Sequence, residues 1–174
     1  IKVAEKADQL SKQLYIQSKS FDEIVSLVKS KADMLASLPA IQPVSNKNLS
    51  RMASGFGYRI DPIYKTRKFH AGMDFSAKIG TPIYATGDGK ILKVRRSKRG
   101  YGNHVKIDHG YGYETIYAHL YKINVKKGQK IKRGDVLGKS GNSGRAAGFH
   151  LHYEVHKNKK VEDPKKYFFT GYIK

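Results

Sequence analysis

The sequence predicts a mainly β domain of antiparallel sheets preceded by an N-terminal α-helical coiled-coil arm. Three observations carry this. All 17 glycines of the 174 residues lie between Gly55 and Gly171, and the first 38 residues hold neither glycine nor proline. Within that first segment apolar residues recur in alternating steps of four and three. From Leu49 onward, short runs rich in Val, Ile and Tyr alternate with closely spaced glycines. The expected organisation is a helical arm over 1–38, a linker over 39–48 and a β-rich domain over 49–174.

The seam of the arm runs through Val3, Ala7, Leu10, Leu14, Gln17, Phe21, Ile24, Val28, Lys31, Leu35 and Leu38. All but Gln17 and Lys31 are apolar, which makes it a heptad pattern. A helix of this length runs about 57 Å at 1.5 Å per residue. It is too narrow to bury its own stripe, so it calls for a helical partner, either an upstream helix or another chain. Gln17 and Lys31 weaken that packing and help fix its register. Pro39, Pro43 and the polar run Ser45–Asn48 end the helix.

In the second part the spacing predicts strands over 90–95, 103–108, 113–119 and 149–155. Gly100-Tyr-Gly102, Gly110-Tyr-Gly112 and Gly141-Asn-Ser-Gly144 fall between them, and residues 107–113 read as a hairpin. Many short strands with tight glycine turns favour antiparallel sheets. No G-x-x-x-x-G-K-[ST] phosphate loop is present, so the glycines serve turns rather than a nucleotide.

The formal net charge is +20. Residues 1–44 hold 6 Lys+Arg against 5 Asp+Glu, and residues 45–174 hold 28 against 9. Such a balance raises nucleic acid as a partner. The cations are scattered, however, and none of their runs lies on a recognition helix, so no specific nucleic acid is expected. An anionic polymer such as a bacterial wall suits the surface better. Cysteine is absent, which rules out disulfides and a thiolate zinc site. No stretch approaches the roughly 18 apolar residues of a membrane span. Ile1 is not a start methionine, which reads as a trimmed N-terminus with room upstream for a signal or membrane anchor.

Four histidines and an aspartate carry the chemistry: His70, Asp74, His119, His150 and His152. In a strand over 149–155 the side chains alternate, so Phe149, Leu151, Tyr153 and Val155 face the core and His150, His152 and Glu154 face the other way. Neighbours on one face sit about 6.6–6.8 Å apart. One histidine can then bind a metal while the other reaches a water or substrate. His70 and Asp74 are four apart, and Gly72 between them suggests a turn or bent strand rather than a helix. His119 closes a strand with Tyr113, Thr115 and Tyr117 on its side. Taken singly, each pattern fits a solvated face or a core residue. Together they offer nitrogen and oxygen ligands for zinc, and three ligands with an open fourth position make a hydrolytic centre. His104, His109 and His156 are expected to serve surface or turn hydrogen bonds.

The surrounding motifs, in order, are Ser54-Gly-Phe-Gly-Tyr-Arg59, Phe69-His-Ala-Gly-Met-Asp-Phe75, Gly80-Thr-Pro-Ile-Tyr-Ala85, Gly100-Tyr-Gly-Asn103, Tyr117-Ala-His-Leu120, Gly138-Lys-Ser-Gly141-Asn-Ser-Gly144 and His150-Leu-His-Tyr-Glu154. They resemble the lysostaphin-like, LytM-type zinc peptidases that cut peptidoglycan peptides. The resemblance runs from Ser54 to Phe169. It implies a LytM-type catalytic domain with one Zn²⁺ per chain held by His70, Asp74 and His152. It makes His119 and His150 the catalytic pair and sets Tyr64 near the reacting carbonyl. It implies an endopeptidase of stem peptides or cross-links in the bacterial cell envelope, outside the inner membrane. The D-Ala to diamino-acid cross-link is the preferred bond, because no wall-targeting module is visible. Some relatives lack ligands and instead bind and activate a cell-wall amidase. That alternative is disfavoured because all five positions are filled here.

Overall fold

The computed structural model describes residues 2–48, 51–61 and 64–168, so Ile1 and the domain limits expected at 49 and 174 lie outside the described residues. The chain separates into two compact units between Leu35 and Ala36.

Helix α1 spans Lys2–Ser37 and none of its residues is buried. Seam residues Leu10, Leu14, Phe21, Ile24 and Val28 are each more than half exposed. The described residues contain no second α-helix. The helix therefore forms as its periodicity demands, while the stripe that periodicity creates stays uncovered. It is not apolar and long enough to cross a membrane.

Residues 36–48 belong to the second unit. Ala40 N–H donates to Thr86 O at 3.0 Å and Tyr84 N–H to Pro43 O at 2.9 Å. Ala40 and Val44 are buried. Arg133 Nη2 donates to the carbonyls of Ala36 at 3.0 Å and Leu38 at 3.1 Å. These are carbonyls that a helix end leaves without intrahelical partners. The stretch read as a linker is thus bonded to the β unit.

The strands in chain order begin with β1 (Arg51–Ser54), β2 (Gly57–Ile60), β3 (Arg67–His70), β4 (Met73–Ser76) and β5 (Pro82–Tyr84). Next come β6 (Gly89–Arg95), β7 (His104–Gly110), β8 (Tyr113–Ala118) and β9 (Leu120–Ile123). The last are β10 (Lys130–Ile131), β11 (Val136–Ser140), β12 (His150–Lys157) and β13 (Lys160–Glu162). The main sheet runs β1-β4-β12-β8-β7-β6-β10, with β13 added to β12. A second sheet runs β5-β11-β9, and β2 pairs with β3. Every pairing is antiparallel. The β7–β8 hairpin turns at Tyr111 and Gly112, both with positive φ (51° and 78°). Such a two-residue turn matches the twist of its flanking strands.

One face of the main sheet supplies Met73, Phe75, Val105, Ile107, Tyr117, Leu151, Tyr153 and Val155 to a core completed by Ile83, Leu120 and Leu137 of the second sheet. The buried tyrosine hydroxyls meet at Thr86, whose Oγ1 lies 2.9 Å from both Tyr117 and Tyr153. The opposite face of the central strands carries Asp74, His152 and Glu154, and these are also buried. The pattern on β12 is therefore not half solvated, because the functional site covers its second face. Two expectations fail locally. Phe149 precedes β12 and is exposed instead of joining the core. His109 is buried, its Nε2 2.8 Å from Thr115 Oγ1 and its Nδ1 donating to Asp88 O at 2.7 Å, rather than serving a surface turn.

Gly72 joins β3 to β4 and lies against β12, where an added Cβ would collide with the carbonyl of Tyr153 and lie 2.9 Å from Glu154 Cγ. Gly72→Ala is expected to cost about 1–3 kcal/mol, read as a lower midpoint in thermal unfolding, because strand backbone rather than a flexible side chain must move.

Candidate metal centre

Strand register builds the centre. His152 on β12 pairs with Asp74 on β4 on one side and with Ala118 on β8 on the other. His70 ends β3, and the Ala71–Gly72 turn returns the chain so that Asp74 comes alongside it. His70 Nε2, His152 Nδ1 and Asp74 Oδ1 then converge, with separations of 3.0 Å between the nitrogens, 2.9 Å from Nδ1 to Oδ1 and 3.2 Å from Nε2 to Oδ1. Zinc bonds of ~2.0–2.1 Å put tetrahedral corners roughly 3.3–3.4 Å apart. The three atoms are thus spaced as three corners of a zinc tetrahedron, and among the described residues they form the one group of metal-ligating atoms.

The surrounding bonds fix each ligand's lone pair toward that point. A carbonyl only accepts, so His70 Nδ1–H donates to Gly55 O at 2.6 Å and leaves Nε2 bare. His152 Nε2–H donates to Glu154 Oε1 at 2.9 Å, which turns Nδ1 to the centre. Arg59 Nη2 donates to Asp74 Oδ2 at 2.9 Å and leaves Oδ1 for the centre. Such outer contacts orient ligands and raise their basicity. Glu154 is 1 % exposed and also accepts from Tyr101 Oη at 2.6 Å and His156 Nε2 at 2.7 Å. Tyr101 stacks on the His152 ring, with centroids 5.7 Å apart.

The electrostatics agree with a cation site. Burial opposes charge on Asp74, yet hydrogen bonds from His152 and His70 hold its carboxyl well below the usual range. Burial raises Glu154, but His152 and His156 bring it down to about 2. Burial likewise opposes charge on His152, while Asp74 and Glu154 pull it up to about 9. Two buried carboxylates thus hold a positive charge at His152 when no metal is there.

His119 and His150 stand beside this group, their ring centroids 4.8 Å apart and His119 6.1 Å from His152. His119 does not follow Tyr117 into the core as alternation predicts. Its φ is 62°, a left-handed conformation costing about 1–2 kcal/mol in a non-glycine residue. The strand ends there, and the side chain joins the wall of the site cavity. His119 Nδ1–H donates to Ser143 O at 2.7 Å and His150 Nδ1–H to Gly148 O at 2.9 Å. Both Nε2 atoms are left to the cavity. Burial lowers His119 to about 4, helped by the nearby His150 and His152 rings. His150 Nε2 lies 3.8 Å from Asp74 Oδ1. The cavity measures about 650 Å³, and all five residues line it. Tyr64 does not line it. It is half exposed, with Lys68 Nζ 3.7 Å and Arg145 Cζ 5.2 Å from its ring centroid.

The sequence pattern assigns no role to Arg59, Tyr101, Glu154 or the carbonyls of Gly55 and Ser143. Glu154 shares the His150–His152 alternation, which was the available signal. The carbonyls and Tyr101 meet the site only through chain crossings.

This fold and ligand set define the lysostaphin-like class of zinc metallopeptidases. The Peptidase family M23 model matches residues 68–164, and the chain belongs to that family. It is 48 % identical over 114 residues to the peptidoglycan DD-endopeptidase ShyA of Vibrio cholerae, covering 65 % of this chain and 26 % of ShyA. The chain thus spans about a quarter of that relative's length. A zinc containing peptidase from Vibrio cholerae superimposes with a TM-score of 0.65 at 41 % identity, over 71 % of this chain and 38 % of that one. The catalytic domain of lysostaphin from Staphylococcus simulans gives a TM-score of 0.61 at 32 % identity, over 70 % and 92 %. The metal of the site is zinc.

Two outcomes follow from the ligand shell. Zinc takes a neutral imidazole nitrogen, so binding expels the Nδ1 proton of His152. Apparent zinc affinity should fall about tenfold per pH unit below about 9 and level off above it, as read by chelator competition at a series of pH values. Glu154→Gln replaces an acceptor of three donors and should weaken zinc binding about 10–100-fold in the same assay.

Proposed function

We propose that this domain is an endopeptidase that hydrolyses peptide bonds in peptidoglycan, with the D-Ala to diamino-acid cross-link as its preferred target. The reading rests on one observation above all: three ligand atoms within 3.2 Å of each other share a cavity with two further imidazoles whose Nε2 atoms are uncommitted. The similarity to ShyA, a peptidoglycan DD-endopeptidase, supports the choice of bond. His70, Asp74 and His152 hold the zinc. When bound, zinc supplies Lewis acidity and makes water a nucleophile near neutral pH.

The chain's own groups then manage the protons. His119 is neutral at pH 7, so its Nε2 accepts the proton of the attacking water and returns it to the leaving amine. His150 shares the cavity with His119, their ring centroids 4.8 Å apart, and completes the catalytic pair. Tyr64 works from the substrate side, since its neighbours Lys68 and Arg145 line the cavity. A regulator that only binds an amidase would need none of these five buried or half-buried polar groups. The site of action is the bacterial cell envelope, outside the inner membrane, and the apolar seam of α1 takes a helical partner.

Mass spectrometry of defined muropeptides after incubation with zinc-loaded protein tests the activity and the bond together. His70→Ala and Asp74→Ala should lose both zinc and cleavage. His119→Ala and His150→Ala should keep zinc and lose about 100-fold or more in rate. Equal loss of zinc in all four variants would contradict this division of roles.

A further inference from the structure

We infer that Arg145 and Lys68, braced on the ring of Tyr64, form a carboxylate-binding subsite that selects cross-links whose scissile amide lies next to a free carboxylate. The inference rests on the proposed substrate and specifies which form of it the cavity accepts.

The charges of the cavity are otherwise matched. Arg59 is committed to Asp74. Glu154 is enclosed by His152, His156 and Tyr101. Lys68 lies 3.7 Å from Asp61, a long and partly exposed pairing. Arg145 is exposed at the cavity wall, and among the described residues it forms no ion pair with a carboxylate. Two cations approaching one aromatic ring repel each other, and an anion between them relieves that repulsion. The ring attracts the guanidinium through its face. It leaves the N–H edges directed elsewhere, and those edges match a carboxylate in a two-bond fork.

The subsite is also fixed relative to the reacting groups. Arg145 N–H donates to Gly100 O at 2.8 Å. Gly144 and Gly102 meet backbone to backbone with no room for a Cβ on either. Ser143, two residues before Arg145, supplies the carbonyl that orients His119. The anchored loop therefore carries a cation and a catalytic hydrogen bond together. In a D-Ala to diamino-acid cross-link, the carbon bearing the linking amine holds a carboxylate in some diamino acids and none in others. A cation on this loop distinguishes the two.

The test uses zinc-loaded protein and two cross-linked muropeptides that differ only in whether that carboxylate is free or amidated. Wild type should favour the free form about tenfold or more in kcat/KM. Arg145→Gln should lose about 10–100-fold on the free form and stay within about twofold on the amidated one. Lys68→Gln should lose less, in the same direction. Zinc content and thermal unfolding of each variant show that the fold is intact. Equal loss on both substrates, or a wild type without preference, overturns the subsite and leaves the endopeptidase reading standing. A wild type that cuts neither substrate overturns both.

Discussion

The antiparallel pairing of β12 with β4 is the constraint on which the rest depends. It sets His152 directly opposite Asp74, and its alternation sends Leu151, Tyr153 and Val155 to the core. A slip of one residue would exchange the two sets, burying imidazoles in the apolar core. Core packing and ligand placement are therefore one decision. The same register brings β8 alongside β12, so that His119 emerges where its strand ends beside His152.

Three lone pairs at 2.9–3.2 Å from one another form an unstable arrangement without a positive charge among them. Buried carboxylates need compensation, by pairing or by a metal. In this protein the compensation is arranged in layers. Arg59 takes the outer oxygen of Asp74, and Glu154 holds the far nitrogen of His152. The centre itself is filled by a proton on His152 or by zinc. The raised pKa of His152 and the depressed one of Asp74 describe the same preference for a cation. The site is preorganised in that its ligand rings are oriented before any metal arrives.

The local strain is concentrated where it has a use. His119 is held at positive φ, and this departure from strand geometry turns an imidazole that alternation would send into the core toward the cavity. The loop that receives its Nδ1 proton is secured by the close passage of Gly144 over Gly102. The basic residues, by contrast, are spread over the β unit, and their field acts at longer range.

Much of this was legible in the sequence because period and turn chemistry are local. The helix over Lys2–Ser37 follows from its heptads, the β7–β8 hairpin from Gly110-Tyr-Gly112, and the turn between His70 and Asp74 from Gly72. The motif order, read with the resemblance it carries, named the five polar residues at the centre. Other features were not legible, because they arise where distant segments meet. Sequence could not give Ala40 and Val44 their burial, Phe149 its place outside the core, Glu154 its three donors or His119 its reversed direction. Residue types and spacing determine which groups are able to ligate and which face they share. Only the register between strands 78 residues apart decides whether their atoms converge, since a bond length of about 2 Å tests geometry that no local pattern encodes.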